Sequence, residues 1–209
     1  MILNNFIVFE GIDGSGTSTQ IKKIYNSNPQ KFFVTAEPTS LETGKFLRRI
    51  LGGEFSVDEK TSSFLFAADR CEHIYGKDGI MQQLNNKKIV ISDRYLFSSL
   101  AYQSIFCKEE LPKLLNSTFP LPQILFFFEI DPEISLKRVN LRNEKKEIYE
   151  KLELQKKIAA EYEKIISEYE EKSKNSDMDM KIIRIDATKS IEEIFNIISQ
   201  KTAEFLQNQ

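Results

Sequence analysis

A glycine-rich stretch near the start of the chain places the strongest constraint on its fold. It reads Gly-Ile-Asp-Gly-Ser-Gly-Thr-Ser-Thr over residues 11–19. The apolar run at residues 6–10 is typical of a buried strand, and the segment from Gln20 onward has helical spacing. In a strand–loop–helix arrangement, inward-pointing N–H groups and the helix N-terminus favour a bound anion. The sequence therefore predicts a polyphosphate cradle formed by Gly11, Ile12, Asp13, Gly14, Ser15, Gly16, Thr17, Ser18 and Thr19.

This loop departs from the P-loop pattern G-x-x-x-x-G-K-[ST] at one position. Gly11, Gly16 and Ser18 fit the pattern, whereas Thr17 occupies the place of the lysine that contacts the β- and γ-phosphates. A glycine-rich turn without a nucleotide role is the alternative interpretation. The strand before the loop and the helix after it favour the nucleotide site, because the motif is recognised by that context.

Composition limits the classes of function. The 209 residues are 41% hydrophobic and 29% charged, which is typical of a globular protein, and we predict one domain over residues 1–209. The net charge of −2 argues against nucleic-acid binding through a basic surface. We expect no membrane partner and a cytoplasmic location, because we find neither a signal-peptide pattern nor an apolar run near ~20 residues.

The chain has few residues of the types that bind zinc or form disulfides. Cys71 and Cys107 are too few for a disulfide framework or a zinc site. His73 is the only histidine, which argues against a histidine-dependent triad. We expect His73 to lie on a helix surface.

Five apolar runs, at residues 6–10, 31–35, 88–92, 124–130 and 181–185, predict buried strands. Helical patterns lie between them, so the order is βαβα and we expect an α/β fold with a parallel sheet. Ligands of such sheets bind beyond the carboxyl ends of the strands. The polar residues at those ends should therefore share one rim: Asp13, Glu37, Asp93, Arg94 and Asp186. For Asp131 and Asp186, capping of the next helix is an equally good interpretation.

Two helical segments carry candidate base-binding residues. In the segment at residues 58–74, Phe66 and Arg70 are four apart and share a face that suits a planar base; core packing of Phe66 is the alternative. After Arg94, the residues Ser99, Tyr102 and Gln103 also share one helix face. That face either reads a base edge or is simply hydrated.

A charge-rich interruption at residues 144–147 separates a helix starting at Pro132 from a long helix at about residues 149–172. We interpret residues 138–151, approximately, as a basic lid over an anionic ligand. A solvated loop is the alternative.

Five separated motifs occur in one order: FEGIDGSG, EPT, FAADR, DRYLFSSLAYQ and IDAT. With them, the chain resembles the thymidylate kinases over nearly its whole length. These are P-loop enzymes that move the γ-phosphoryl group of ATP onto dTMP. The resemblance implies a P-loop NTPase fold with a five-stranded parallel sheet flanked by helices. It also implies ATP and Mg²⁺ as donor and cofactor, dTDP and ADP as products, and a homodimer.

The resemblance also implies an acceptor site. Asp13 matches the carboxylate near the sugar 3′-hydroxyl, Phe66 matches the ring that stacks on thymine, and Arg70 matches the donor to a base carbonyl. Ser99 and Gln103 match residues at the base edge, and Tyr102 matches a tyrosine that crowds the 2′ position. The implied dTMP-binding residues are Asp13, Glu37, Arg48, Phe66, Arg70, Arg94, Ser99, Tyr102 and Gln103.

For the donor side, the resemblance implies Mg²⁺ ligation by Ser18 and Asp93 and adds Arg138 and Thr188 to the ATP site. The implied catalytic residues are Asp93, Arg94 and Arg142. The chain departs from the family at Ala36, where bacterial members commonly have arginine, and at Thr17, which supplies no charge.

Because Thr17 is neutral, lid cations are the candidates for replacing the P-loop lysine. They are Arg138, Arg142, Lys145, Lys146 and Lys151. Two alternatives to a dTMP kinase stay open at this point. One is a kinase for another nucleoside monophosphate or a deoxynucleoside, and the other is a nucleotide-binding protein that lost catalysis through Thr17.

Overall fold

A computed structural model of the protein describes residues 1–108, 110–141, 148–149, 151–175 and 179–206. Strands and helices alternate along this part of the chain. The strands are β1 (Ile2–Gly11), β2 (Phe32–Ala36), β3 (Ile89–Asp93), β4 (Leu121–Glu129) and β5 (Lys181–Asp186). The helices are α1 (Thr17–Ser27), α2 (Glu42–Leu51), α3 (Glu59–Tyr75), α4 (Ile80–Asn85), α5 (Leu96–Gln103), α6 (Glu110–Asn116), α7 (Pro132–Asn140), α8 (Leu152–Asn175) and α9 (Ile191–Leu206).

The five strands form one sheet in the order β2-β3-β1-β4-β5. Every pairing is parallel; at the centre, Val8 of β1 lies opposite Ser92 of β3 and Leu125 of β4. The predicted five-stranded parallel sheet and α/β class are confirmed. Because all strands point the same way, the segments after β1, β2 and β3 emerge at one edge of the sheet.

Helices cover both faces of the sheet, which explains the unbroken apolar runs. Phe6, Ile7, Val8 and Phe9 are all 1% exposed or less. Alternate residues enter two different hydrophobic clusters, one that includes Tyr162 of α8 and one that includes Ile194 of α9. This is the pattern expected of a strand buried on both faces.

The helix predictions hold with shifted ends. α3 begins one residue after Asp58, whose side chain caps it. The long helix begins at Leu152 rather than near residue 149. Asp131 accepts hydrogen bonds from the backbone N–H groups of Glu133 and Ile134, so the capping interpretation is correct for Asp131. Of the predicted lid, residues 142–147 and 150 lie outside the described residues.

The expected surface position of His73 is wrong. This residue is only 5% exposed, and its ring contacts Glu37 and Thr35. His73 lies one turn after the buried Arg70 on the face of α3 that turns inward, so helical spacing carries it into the interior.

None of the helices in the described part of the chain has both the length and the hydropathy needed to cross a membrane.

Candidate active site

A cavity of about 330 Å³ opens at the edge of the sheet where the glycine loop lies. This volume is in the range of small-molecule sites. Segments that are far apart in sequence line the cavity, including the glycine loop, the turns after β2 and β3, and helices α2, α3 and α5. Most of the predicted site residues are among its lining: Ile12, Asp13, Gly14, Gly16, Thr17, Ser18, Glu37, Arg48, Phe66, Arg70, Asp93, Arg94, Ser99, Tyr102 and Gln103.

The glycine loop has the backbone geometry of an anion cradle. Gly14 and Gly16 have φ angles of 83° and 98°, a region that side chains with a Cβ rarely adopt. A Cβ on Gly14 would lie 2.5 Å from the carbonyl oxygen of Ser135 in α7. A Cβ on Gly16 would meet nothing within 4 Å. The loop is therefore tight on its α7 side and open above the start of α1, where a phosphate group has room.

Ser18 and Asp93 form the candidate metal site. The Ser18 hydroxyl donates a 2.6 Å hydrogen bond to Asp93 Oδ2, which joins the first turn of α1 to the end of β3. Both groups offer oxygen, the ligand type that Mg²⁺ prefers, and Mg²⁺ commonly takes only one or two protein ligands besides phosphates and waters. These two residues therefore fit the implied Mg²⁺ site.

Arg94 has an unusual backbone conformation. Its φ angle is 71°, which is uncommon for a residue with a side chain. Two hydrogen bonds hold it there: its N–H donates to the Phe9 carbonyl at 2.9 Å, and the Ser92 hydroxyl donates to its carbonyl at 2.7 Å. This turn directs the guanidinium back to the glycine loop, where it donates to the Gly11 carbonyl and to Asp13.

Arg94 is held as a fixed positive charge. Burial alone lowers the pKa of Arg94, but Tyr102 and Asp13, followed by Tyr162 and Glu10, raise that pKa well above its ordinary value. The side chain is 24% exposed, and that exposed part faces the cavity. The site therefore contains a preorganised cation beside the cradle, the arrangement that stabilises transferring phosphoryl groups.

At the opposite end of the cavity, Arg70 of α3 is 1% exposed and almost fully paired. Its Nε and one terminal nitrogen donate to Glu37 Oε2 at 3.0 and 2.6 Å, and that nitrogen also donates to Ser99 at 2.9 Å. The other terminal nitrogen donates to Asn116. A guanidinium has five N–H bonds, so four are used and one remains for a ligand.

Among the residues that line the cavity, Oε1 of Gln103 is a buried polar atom without a hydrogen-bond partner in the described chain. The hydroxyl of Tyr102 is also buried, on a ring that lies against the guanidinium of Arg94. Burial raises the pKa of Tyr102 far above its ordinary value, so this hydroxyl stays protonated. Phe66 is half-buried; it packs on the core and also lines the cavity, so its core packing is observed and its stacking on a base stays a prediction. A buried polar group of this kind is available for a hydrogen bond with water, an ion or a ligand in the cavity.

Several predicted site residues lie away from this cavity. Arg138 donates a 3.0 Å hydrogen bond to the carbonyl of Ala187, next to Thr188, so α7 and the turn after β5 meet beside the loop. Thr19 is exposed on α1 and borders a shallow groove towards α9. Arg142 lies outside the described residues. No lysine is among the residues that line the cavity in the described chain.

Sequence comparison decides the family. A sequence model of the thymidylate kinase family matches residues 9–198. The chain belongs to the thymidylate kinase family. A thymidylate kinase of Leptospira interrogans is 42% identical over 167 residues, covering 77% of this chain and 81% of the relative. A thymidylate kinase of Leptospira borgpetersenii is 35% identical over 195 residues, covering 90% and 88%. A Treponema pallidum protein that is named for the same activity is 39% identical over 207 residues, covering 98% and 97%.

The structure of this thymidylate kinase family member adds site residues that the sequence reasoning missed. Gln155 of α8 donates 3.0 Å hydrogen bonds to Asp13 Oδ2 and to the carbonyl of Tyr149. The Tyr149 ring packs edge-on against Tyr102 at 5.2 Å. Helical periodicity places these positions on α8 or before it, but it carries no information on their partners across the cavity.

A buried carboxyl group supports Arg94 from behind. Glu10 of β1 is 0% exposed and accepts hydrogen bonds from the backbone N–H groups of Tyr95 and Ser98. The hydroxyls of Ser98 and Tyr162 also donate to Glu10, and Arg94 donates to both hydroxyls. Burial raises the pKa of Glu10 from 4.5 to about 7, and the charge of Arg94 offsets only part of that rise.

We expect Glu10→Gln to reduce the pH dependence of stability in the window from pH 4.5 to about pH 7. In the wild type, the folded protein binds the Glu10 proton more tightly than the unfolded chain. Its free energy of unfolding therefore falls as pH rises through this window and then levels off. The contribution is on the order of 3 kcal/mol. Urea unfolding of both proteins at several pH values measures it. If both proteins lose the same stability as the pH rises through this window, Glu10 does not have a raised pKa in the folded protein, since the two proteins share all other titrating groups.

Proposed function

We propose that this protein transfers the γ-phosphoryl group of ATP to dTMP, giving dTDP and ADP, with Mg²⁺ as cofactor. Membership of the thymidylate kinase family supports the reaction. The observation that carries the proposal is that one cavity joins the glycine loop and the Ser18–Asp93 pair to a buried recess beside Phe66 and Arg70, which we call the acceptor recess. The donor and acceptor nucleotides would therefore meet near Arg94.

The hydrogen-bonding groups of the recess match thymine. Arg70 retains one N–H donor, and Oε1 of Gln103 is a buried acceptor without a partner in the described chain. Thymine presents a carbonyl acceptor at C4 beside an N–H donor at N3, which complements that pair. Cytosine presents the reverse pattern and would leave both protein groups unsatisfied, which is costly in a buried site.

The protein residues act on phosphoryl transfer by position and charge. The loop N–H groups hold the donor phosphates, and Arg94 lies between the loop and the acceptor recess to neutralise charge in the transition state. Mg²⁺, when bound at Ser18 and Asp93, supplies further neutralisation of the phosphate oxygens. We expect Asp13, which is held by Arg94 and Gln155, to accept a hydrogen bond from the sugar hydroxyl. No covalent enzyme intermediate is needed.

We expect dTMP to be phosphorylated with a kcat/KM at least about 100-fold above that for dCMP. A coupled assay of ADP formation with dTMP, dUMP, dCMP and thymidine measures this preference. Preference for dCMP or thymidine would indicate a different kinase. Nucleotide-dependent thermal stabilisation without ADP formation would indicate a binding protein that has lost catalysis.

Gln103→Ala should raise the KM for dTMP by about tenfold, because it removes the buried acceptor.

We also propose a homodimer formed through α3. Phe64, Ala68, Cys71 and Tyr75 recur at helical spacing on the exposed face of this helix. Phe64 and Tyr75 are 55% and 53% exposed, and a contiguous apolar stripe of this kind is typical of protein contacts. A second copy of the chain is the occupant that the family resemblance implies. A cytoplasmic location likewise stays a prediction from sequence.

We expect Phe64→Asp to convert a dimer to a monomer at micromolar concentration, because a charge would be buried in the contact. Light scattering after size-exclusion chromatography gives the mass. Ile191→Asp is the matched control, since Ile191 is 54% exposed but lies on α9. A wild-type monomer, or a dimer that survives Phe64→Asp, would rule out this interface.

A further inference from the structure

A chain of hydrogen bonds runs behind the acceptor recess and includes the only histidine of the sequence. The His73 ring contacts Thr35 Oγ1 through Nε2 at 2.7 Å and Glu37 Oε1 through Nδ1 at 3.0 Å. The other carboxylate oxygen of Glu37 receives both hydrogen bonds from Arg70. His73 itself is absent from the cavity lining, whereas Glu37 and Arg70 are part of it.

The direction of the free N–H of Arg70 depends on the plane of the Glu37 carboxylate. Two of the donors of Arg70 converge on one oxygen of that carboxylate, so the guanidinium turns when the carboxylate turns. The contacts of Arg70 with Ser99 and Asn116 restrict translation of the group. A base-reading hydrogen bond needs a donor angle above about 150°, so a small rotation is enough to weaken it.

Besides its hydrogen bonds with Arg70, Glu37 is fixed by two further contacts. Its backbone N–H donates to the carbonyl of Asp93 at 3.0 Å, which anchors the main chain to the end of β3. Its Oε1 atom accepts from Nδ1 of His73 and makes no other hydrogen bond to the described residues. Without His73, only the hydrogen bonds from Arg70 to Oε2 would hold the carboxylate, so its plane could turn about its last side-chain bond, since terminal torsions of this kind are broad.

Thr35 fixes the histidine ring in turn. With a neutral imidazole, Nδ1–H donates to Glu37 and Nε2 accepts from the Thr35 hydroxyl, so every polar atom of the ring is satisfied. Thr35 lies on β2, the edge strand beside β3. This hydrogen-bond relay, Thr35–His73–Glu37–Arg70, therefore connects strand β2 to the arginine that we expect to contact the base.

We propose that His73 is a positioning residue for acceptor binding: by holding Oε1 of Glu37 it sets the orientation of Arg70 and so the affinity for the pyrimidine base. The proposal rests on the proposed function, because the affinity concerned is that for dTMP.

The two nitrogens of the ring can be tested separately. The amide nitrogen of asparagine is as many bonds from Cα as Nδ1 of histidine. The amide nitrogen of glutamine is as many bonds from Cα as Nε2 of histidine. His73→Asn therefore keeps the donor to Glu37, whereas His73→Gln keeps the contact with Thr35 and loses that donor. Each variant loses one of the two ring hydrogen bonds, so a purely structural role predicts similar losses of thermal stability and equal dTMP affinities.

We expect His73→Gln to raise the Kd for dTMP by about tenfold, with kcat at saturating dTMP and KM for ATP within about threefold of wild type. His73→Asn should bind dTMP within about threefold of wild type. Calorimetric titration with dTMP gives the affinities, and steady-state kinetics separates KM from kcat. Equal affinities of the two variants, or a loss of kcat without a change in Kd, would overturn the proposal.

If either variant fails to fold, Thr35→Val provides the same test, because it frees the ring and leaves His73 in place. A weakened dTMP affinity with retained kcat supports the relay, and an unchanged affinity overturns it. Wild-type protein that neither binds nor phosphorylates dTMP would instead refute the proposed function. The two failures are therefore distinguishable.

Discussion

Arg94→Ala is expected to lower kcat by about 10³-fold, because it removes a preorganised cation from the point where the loop and the acceptor recess meet. The guanidinium already contacts Gly11, Asp13, Ser98 and Tyr162 before any ligand binds. The guanidinium is therefore already oriented before the reaction. The measurement is steady-state ADP formation with dTMP and ATP·Mg²⁺, together with dTMP binding to the variant.

Two controls separate catalysis from folding in this test. Arg94→Lys keeps the charge but loses the forked contacts, so we expect an intermediate rate. Arg49→Ala removes a surface arginine that pairs with Glu54 and should leave kcat within about twofold. If folded Arg94→Ala protein turns over at near wild-type rate, the catalytic role of Arg94 is wrong.

Arg142→Ala is expected to lower kcat by about 10²–10³-fold. The physical reason is the missing lysine at Thr17. Of the arginines that line the cavity in the described chain, Arg48 donates to the Pro38 carbonyl and Arg70 to Glu37, which leaves Arg94 for the transferring phosphoryl group. The charge that the P-loop lysine would supply is still missing, and Arg142 of the lid is its predicted source.

Thr17→Lys makes this prediction specific. Alone, it should change kcat by less than about threefold, because the charge is already supplied; in the Arg142→Ala background it should restore about tenfold or more. The four proteins form a double-mutant cycle that single-turnover kinetics can measure. A large gain from Thr17→Lys alone, with no effect of Arg142→Ala, would show that the natural loop is impaired and that the lid does not compensate.

The sheet was predictable because its signals are local. Four consecutive apolar residues in β1 require cover on both faces, and that requirement points to a parallel sheet with helices on each side. Strand ends were less predictable. β1 begins at Ile2 and β4 at Leu121, both before the predicted apolar run, because pairing between these two strands extends regular structure past polar residues and a proline that interrupt the apolar pattern.

The residues of the candidate site were predictable only where they belong to a recognisable sequence motif. Asp13, Phe66, Arg70 and Arg94 belong to such motifs, and they line the cavity. His73 was misplaced because the sequence does not show which face of α3 turns inward. Gln155 was missed because its hydrogen bond to Asp13 spans 142 sequence positions. Neither property can be read from spacing along the chain.

The amino-acid sequence by itself determined the α/β fold, the position of the glycine loop between β1 and α1, and many of the residues that line the cavity at one edge of the sheet. Apolar periodicity and glycine conformations act over a few residues and carry that information. Tertiary structure alone decided which polar atoms pair: Arg70 with Glu37, Glu37 with His73, Glu10 with Ser98 and Tyr162. Burial on all sides makes those pairings strong, and burial depends on every element of the fold at once.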